Sequence, residues 1–203
     1  MALQEHDLDA DRALLARHGQ RLLDLARASV LHGFEFGRPL PVDVVAEPAE
    51  LAAVRSCPVV LRLRSAIGGF DPRRRAGGVR AWRPLLADVA GNAFAAAFAD
   101  RRHLPLRADD RHDLLVTVML LGPPVPITPG DAASVGTLGP GRDGVLVEWR
   151  GGSMALYPEA WPFCPTPAEF VAEAIRRALA AGLKPGFAPR VYRFPVAAIA
   201  DGD

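Results

Sequence analysis

Along the first third of the chain, Leu14, Leu15, His18, Leu22, Leu25, Ala26 and then Ser29 or Val30 return at helical spacing and form one stripe. The spacing predicts a helix over residues 10–31, with Asp9 as its N-cap and Gly33 as its stop. Gly19 weakens the middle of that helix by about 1 kcal/mol relative to Ala. Pro39, Pro41 and Pro48 then mark a connection. Two short apolar runs, residues 51–56 and 59–64, predict a hairpin around Cys57-Pro58, although that turn lacks the Gly or Asn that hairpins favour.

A second helix is predicted from Pro84, a residue suited to a first turn. Leu85, Leu86, Val89, Ala93, Ala96 and Ala97 line its apolar face, and Asn92 is read as lying off that stripe. The β-rich run 114–121 predicts a strand that stops at Gly122-Pro123-Pro124, and residues 126–144 read as a Pro/Gly-rich connection. Residues 145–149 and 154–157 predict a hairpin around Gly151-Gly152. Thr166-Pro167-Ala168-Glu169 is a capping box with proline at the first helical position. It opens a third helix whose buried face is Phe170, Val171, Ala174, Ile175, Ala178 and Leu179, ending at Gly182. A last strand covers 191–196. Helices and hairpins in this alternation give an α+β fold with antiparallel sheet and about three main helices.

Composition adds bounds. A chain of 203 residues should bury roughly 70% of its unfolded surface and needs no disulfide or metal to hold a core. Length alone favours one unit over two small lobes. A net charge of +1 argues against strong non-specific attraction to nucleic acid or membrane, while leaving local patches open. The two cysteines, Cys57 and Cys164, share no metal-ligand spacing and point to a reducing compartment. Gln4, Glu5, His6 and Asp7 do not resemble a signal peptide, and no apolar run nears the roughly 20 residues of a membrane span. The expectation is a cytoplasmic protein. The five histidines are scattered and none pairs with Cys or Asp at ligand spacing, so neither a metal nor a cofactor is expected.

The most informative segment is Leu63-Arg64-Ser65-Ala66-Ile67-Gly68. It ends an apolar run and precedes a Gly/Arg-rich loop and a helix, the position where binding groups tend to sit. It contains no Cys, His, Asp or Glu, so it offers no ready nucleophile. Arg64 is suited either to clamping an anion through a charge-assisted fork or to pairing with a nearby carboxylate. Arg73, Arg74 and Arg75, with Arg80 and Arg83, read as a basic loop that either contacts phosphate or is simply solvated. Asn92 reads as a side chain that hydrogen-bonds the backbone of the segment, or equally as a buried amide that satisfies a loop carbonyl. Glu148, in an otherwise apolar strand, reads as a general base or, more readily, as the partner of an arginine. Cys164 sits just ahead of the Thr166 cap, and a small buried hydrophobe is the favoured reading there.

These blocks in order resemble the AMMECR family, the AMME-syndrome candidate-gene-one proteins, whose bacterial and archaeal members are also called AmmeMemoRadiSam system protein A. The resemblance is carried by Leu63 to Gly68 followed by WRPLLADVAGNAFAAAFADRRHLPL (82–106), then LLVTVMLLGPPVPI (114–127), GRDGVLVEWRGGSMALYPEAW (141–161) and VYRFPV (191–196). It covers about residues 14–196 and implies one domain over 1–203, built as a larger and a smaller lobe.

The resemblance further implies an association with Memo-type and radical-SAM proteins and a role in RNA or other macromolecular modification. It does not imply an established activity. Where the family hexamer reads Leu-Arg-Gly-Cys-Ile-Gly, this chain has Ser65 for the glycine and Ala66 for the cysteine. A methyl group cannot act as nucleophile or ligand. The favoured expectation is therefore a binding or accessory protein without cysteine chemistry. Its surface would comprise Leu63, Arg64, Ser65, Ala66, Ile67, Gly68, Asn92 and Glu148, with Arg73, Arg74 and Arg75 as anion contacts. The alternative is a thiol-independent enzyme acting on RNA or a nucleotide-like anion, with Arg64 as phosphate clamp and Glu148 as proton carrier.

Overall fold

The computed structural model describes residues 7–64, 73–184, 186 and 188–202. The chain divides into a larger unit, Asp7–Leu121 with the segment from Ala197 onward, and a smaller unit, Gly122–Val196. Both are mixed α and antiparallel β, as the sequence pattern predicts.

In the larger unit, helix α1 (Leu8–Phe36) buries Leu14, Leu15, Leu22, Leu23, Ala26 and Val30. It begins one residue after Asp7, whose carboxylate accepts the N–H groups of Asp9 and Ala10, so Asp7 and not Asp9 is the cap. It runs past Gly33 to Gly37, which adopts the left-handed conformation (φ +67°) and donates its N–H to the Gly33 carbonyl. Gly33 is a packing glycine: a methyl there would lie 2.4 Å from Phe98 Cε2 and 2.8 Å from Phe94 Cδ2. Both rings lie on or at the end of helix α3 (Leu85–Phe98), which crosses this part of α1.

The predicted hairpin around Cys57-Pro58 does not form. Residues 49–52 make a single helical turn, α2 (Ala49–Ala52), and Val54 instead bridges Pro84. Strand β1 (Val59–Leu63) lies between β2 (Arg74–Ala76) and β3 (Leu114–Leu121), antiparallel to both. Lacking the Gly or Asn that a tight hairpin favours, the chain continues through Cys57-Pro58 into β1, and the strand that returns comes from beyond residue 73. Val59, Leu61 and Leu63 oppose Val118, Val116 and Leu114, and this face joins the core beneath α1 and α3. The alternate face carries Val60, Arg62, Leu115 and Thr117.

In the smaller unit, β5 (Asp143–Trp149) and β6 (Gly152–Leu156) form the expected hairpin. The part of strand β7 (Arg190–Ala200) that belongs to this unit lies between β5 and the short β4 (Val125–Ile127). The connection expected over 126–144 therefore contains a strand and a helical turn, α4 (Ala132–Val135). Helix α5 (Pro167–Ala180) starts at the predicted capping box, with Thr166 and Glu169 bonded reciprocally, and buries Phe170, Val171, Ala174 and Ala178. Leu179, expected on the buried face, is exposed: the buried stripe runs through Phe170, Ala174 and Ala178, and Leu179 lies one position round from it. Among the described residues, no helix is long and apolar enough to cross a membrane.

Candidate functional site

Of the segment that drew attention in the sequence, Ser65, Ala66, Ile67 and Gly68 lie outside the described residues. Its first two residues are described. Leu63 closes β1, half-buried on the core face. Arg64 is exposed, and its N–H donates to the Asp113 carbonyl at 2.8 Å, which fixes the end of the strand against the start of β3.

The other end of β1 is held by a polar cluster that the sequence does not advertise. Cys57 is fully buried. Its N–H donates to Asp88 Oδ2 at 2.7 Å, and its carbonyl accepts from Asn92 Nδ2 at 2.9 Å. Arg83 completes the cluster: Nε donates to Asp88 Oδ1 at 2.6 Å and an NH2 group donates to Asn92 Oδ1 at 2.9 Å. Asp88 and Asn92 stand four residues apart on α3, so one face of the helix presents both to the same peptide. Burial raises the Asp88 pKa, an effect that the Arg83 and Cys57 hydrogen bonds reduce without cancelling. Burial also pushes the Cys57 thiol well above the usual range, and the Asp88 charge adds to the rise. The sulfur is therefore a protonated, solvent-sealed group and not a nucleophile. Gly77 belongs to the same construction. It has φ +112°, and a methyl on it would come within 2.7 Å of Asn92 Nδ2 and of Pro58 Cα.

Asn92 is thus buried, at 6% exposure, on the core side of α3, where the sequence reading placed it off the stripe. It supports the peptide ahead of β1, and both ends of its amide are already engaged. Glu148 lies in the smaller unit on β5. It stands opposite Arg190 of β7 in register, with Arg190 NH2 3.6 Å from its Oε2, which is the arginine pairing expected of it.

The three arginines read as loop are mostly strand. Arg74 and Arg75 lie in β2, and only Arg73 precedes it. β2 is the outermost strand of its sheet, and the segment after α3 closes its free edge. The Arg75 N–H donates to Asp100 Oδ2 at 3.0 Å, and the Arg75 carbonyl accepts from Arg102. An Arg74 NH1 group donates to the Leu104 carbonyl. Burial works to raise the Asp100 pKa, but hydrogen bonds from the Arg102 side chain and from the Arg75 and Arg102 N–H groups together hold it far below the usual carboxylate range.

Trp82, just before the cluster, is 72% exposed and carries the Arg83 guanidinium 4.6 Å from its ring centre. Cys164 is buried, as the sequence favoured. No group of three or more His, Cys, Asp or Glu residues suited to a metal occurs among the described residues. What this architecture offers is arginine at the surface and sulfur in the interior.

Comparison with known proteins agrees with the resemblance read from the sequence. The AMMECR1 family model matches residues 23–199. A curated protein of Sulfolobus acidocaldarius, named only "Protein", is 34% identical over 112 residues, which is 54% of this chain and 48% of that one. The chain thus spans about half the length of the curated relative it matches. Among solved structures, the crystal structure of the uncharacterized protein PH0010 from Pyrococcus horikoshii is similar, with a TM-score of 0.79 and 25% identity over 92% of each chain.

Proposed function

The chain belongs to the AMMECR1 family, and from that premise we propose that it is a binding or accessory component of a modification pathway associated with Memo-type and radical-SAM proteins. It works without cysteine chemistry and recognises RNA or another anionic ligand. The recognition surface is the segment Leu63 to Gly68, which follows β1 in sequence, with Arg73, Arg74 and Arg75 as anion contacts.

The observation that carries this reading is the burial of both sulfurs. Cys57 is sealed and protonated, Cys164 is buried, and the hexamer has Ala66 where the family has its thiol. The charged side chain presented where β1 ends is instead Arg64.

The test is reconstitution. Purified Memo-type and radical-SAM proteins are mixed with the full chain and followed by sedimentation velocity. Complex formation that weakens in Arg64→Glu supports the reading. Turnover of any substrate by the chain alone, lost in a folded Arg64→Ala variant, replaces it with that of an enzyme.

A further inference from the structure

Three separate stretches of sequence are joined around the end of β1. The Arg64 N–H bonds the Asp113 carbonyl, Arg62 and Leu63 stand opposite Leu115 and Leu114, and Arg74 stands opposite Leu61. The loop after α3 is then tied on through Asp100, Arg102 and Leu104. Residues 62–64, 73–75 and 100–113 together hold nine arginines, four aspartates and no lysine or glutamate. The whole chain is only +1, so this rim concentrates positive charge that the rest of the molecule offsets. Arg64, Arg73, Arg101, Arg107 and Arg111 are all exposed. No Phe, Tyr or Trp occurs in the three segments, whose ring side chains are His103 and His112. Leu104, 84% exposed, is the apolar side chain that stands out among them.

We propose that this rim is a binding surface for the phosphodiester backbone of single-stranded nucleic acid, extending the anion contacts of the proposed function, on which it rests, to the 100–113 segment. Charge drawn from three segments makes an extended strip and not a pocket for one ion, which fits a polymer with regularly repeated charge. Arginine forks match phosphate oxygens bidentately. A duplex groove takes a helix or a free two-stranded ribbon. The only helix in these segments is the five-residue 3-10 turn Ala108–His112, and β1 is paired on both sides. With no Phe, Tyr or Trp platform, phosphate contacts dominate over base stacking, so recognition is indifferent to sequence and strongly dependent on salt.

The test is fluorescence anisotropy of the full chain with labelled 20-mers of uridylate and of adenylate, titrated at several salt concentrations. The variant reverses three exposed arginines, Arg64→Glu, Arg101→Glu and Arg107→Glu. Arg12→Glu, an exposed arginine in the first turns of α1, at the opposite end of that helix from the Phe98 contact, is the control. Both oligomers should bind within about twofold of each other, because contacts are to phosphate. The triple variant should bind at least about tenfold more weakly, with the log–log salt slope reduced by about 2, while the control is unchanged.

A second variant set, the same three arginines changed to Gln, guards against misfolding caused by charge reversal. It should lose slope in the same direction while keeping the wild-type circular dichroism and melting temperature. Absence of binding at low salt overturns the proposal, as does equal binding by a folded triple variant or tighter binding of a poly-glutamate chain of equal charge. If RNA fails to bind while the Memo-type complex still forms, this inference falls and the accessory reading stands.

Discussion

At the scale of single residues, the interior of the larger unit turns on Asp88. One carboxylate accepts both the Cys57 peptide and Arg83. Asp88→Ala leaves a buried N–H and a half-buried guanidinium without their acceptor, and should cost about 3 kcal/mol in a urea titration. Asn92→Ala, which frees only neutral partners, should cost about half as much. The thiols give a second readout. Ellman's reagent should modify neither cysteine in the folded protein and both in urea; a rapidly labelled Cys57 would contradict its burial.

Glu148 was legible in the sequence because a carboxylate in an apolar strand needs a cation. Asn92 is legible as an amide that supports loop backbone, and it does bond the Cys57 carbonyl; its face is not, since position 92 follows Val89 by three and precedes Ala96 by four, which puts it on the stripe and not off it. Arg83 was read as part of a basic loop, and nothing in linear order says that it folds back onto Asp88.

Among elements, the helices were read best, since each needs only local periodicity and caps. Thr166→Ala removes the capping box of α5 and should cost about 1 kcal/mol by thermal or chemical unfolding. The strands around β1 were read worst. β1 has the right residues, but its partners come from beyond residue 73 and from residue 114, and pairing at that separation leaves no local trace. The glycines of α1 show the same limit. Helix propensity alone makes Gly33→Ala favourable by about 1 kcal/mol. The Phe94 and Phe98 rings leave no space for the methyl, so the net effect should be destabilisation by about 1–2 kcal/mol, and the sign of the change in urea midpoint decides between them. Gly19 differs, because a methyl there meets chiefly the Ile199 Cδ1 atom, the movable end of a side chain.

For the molecule as a whole, net charge concealed an uneven distribution. A formal +1 reads as unremarkable until the sheet gathers the arginine segments at one end. The pH response should be shaped there too. The Asp100 pKa is depressed in the folded state, so its contribution to stability is present above the unfolded value of about 4 and is lost as pH falls below it. Asp100→Asn should lower stability at pH 7 and flatten its decline between about pH 4 and pH 2.5 relative to the wild type, measured as the urea midpoint at each pH. The Glu50 and Glu173 carboxylates are also held low, first by Arg17 and Arg176 respectively, and their acid response should persist in that variant.

The closure of the β2 edge by Asp100 and Arg102 has a consequence for behaviour at high concentration. An uncovered outer strand is a template on which another copy of the chain can add its own. Here the outward donor and acceptor of Arg75 are already taken. Acid that protonates Asp100, or replacement of both caps by alanine, would turn a guarded margin into an adhesive one, and solutions of such a protein should become turbid and bind thioflavin while the wild type at neutral pH stays clear.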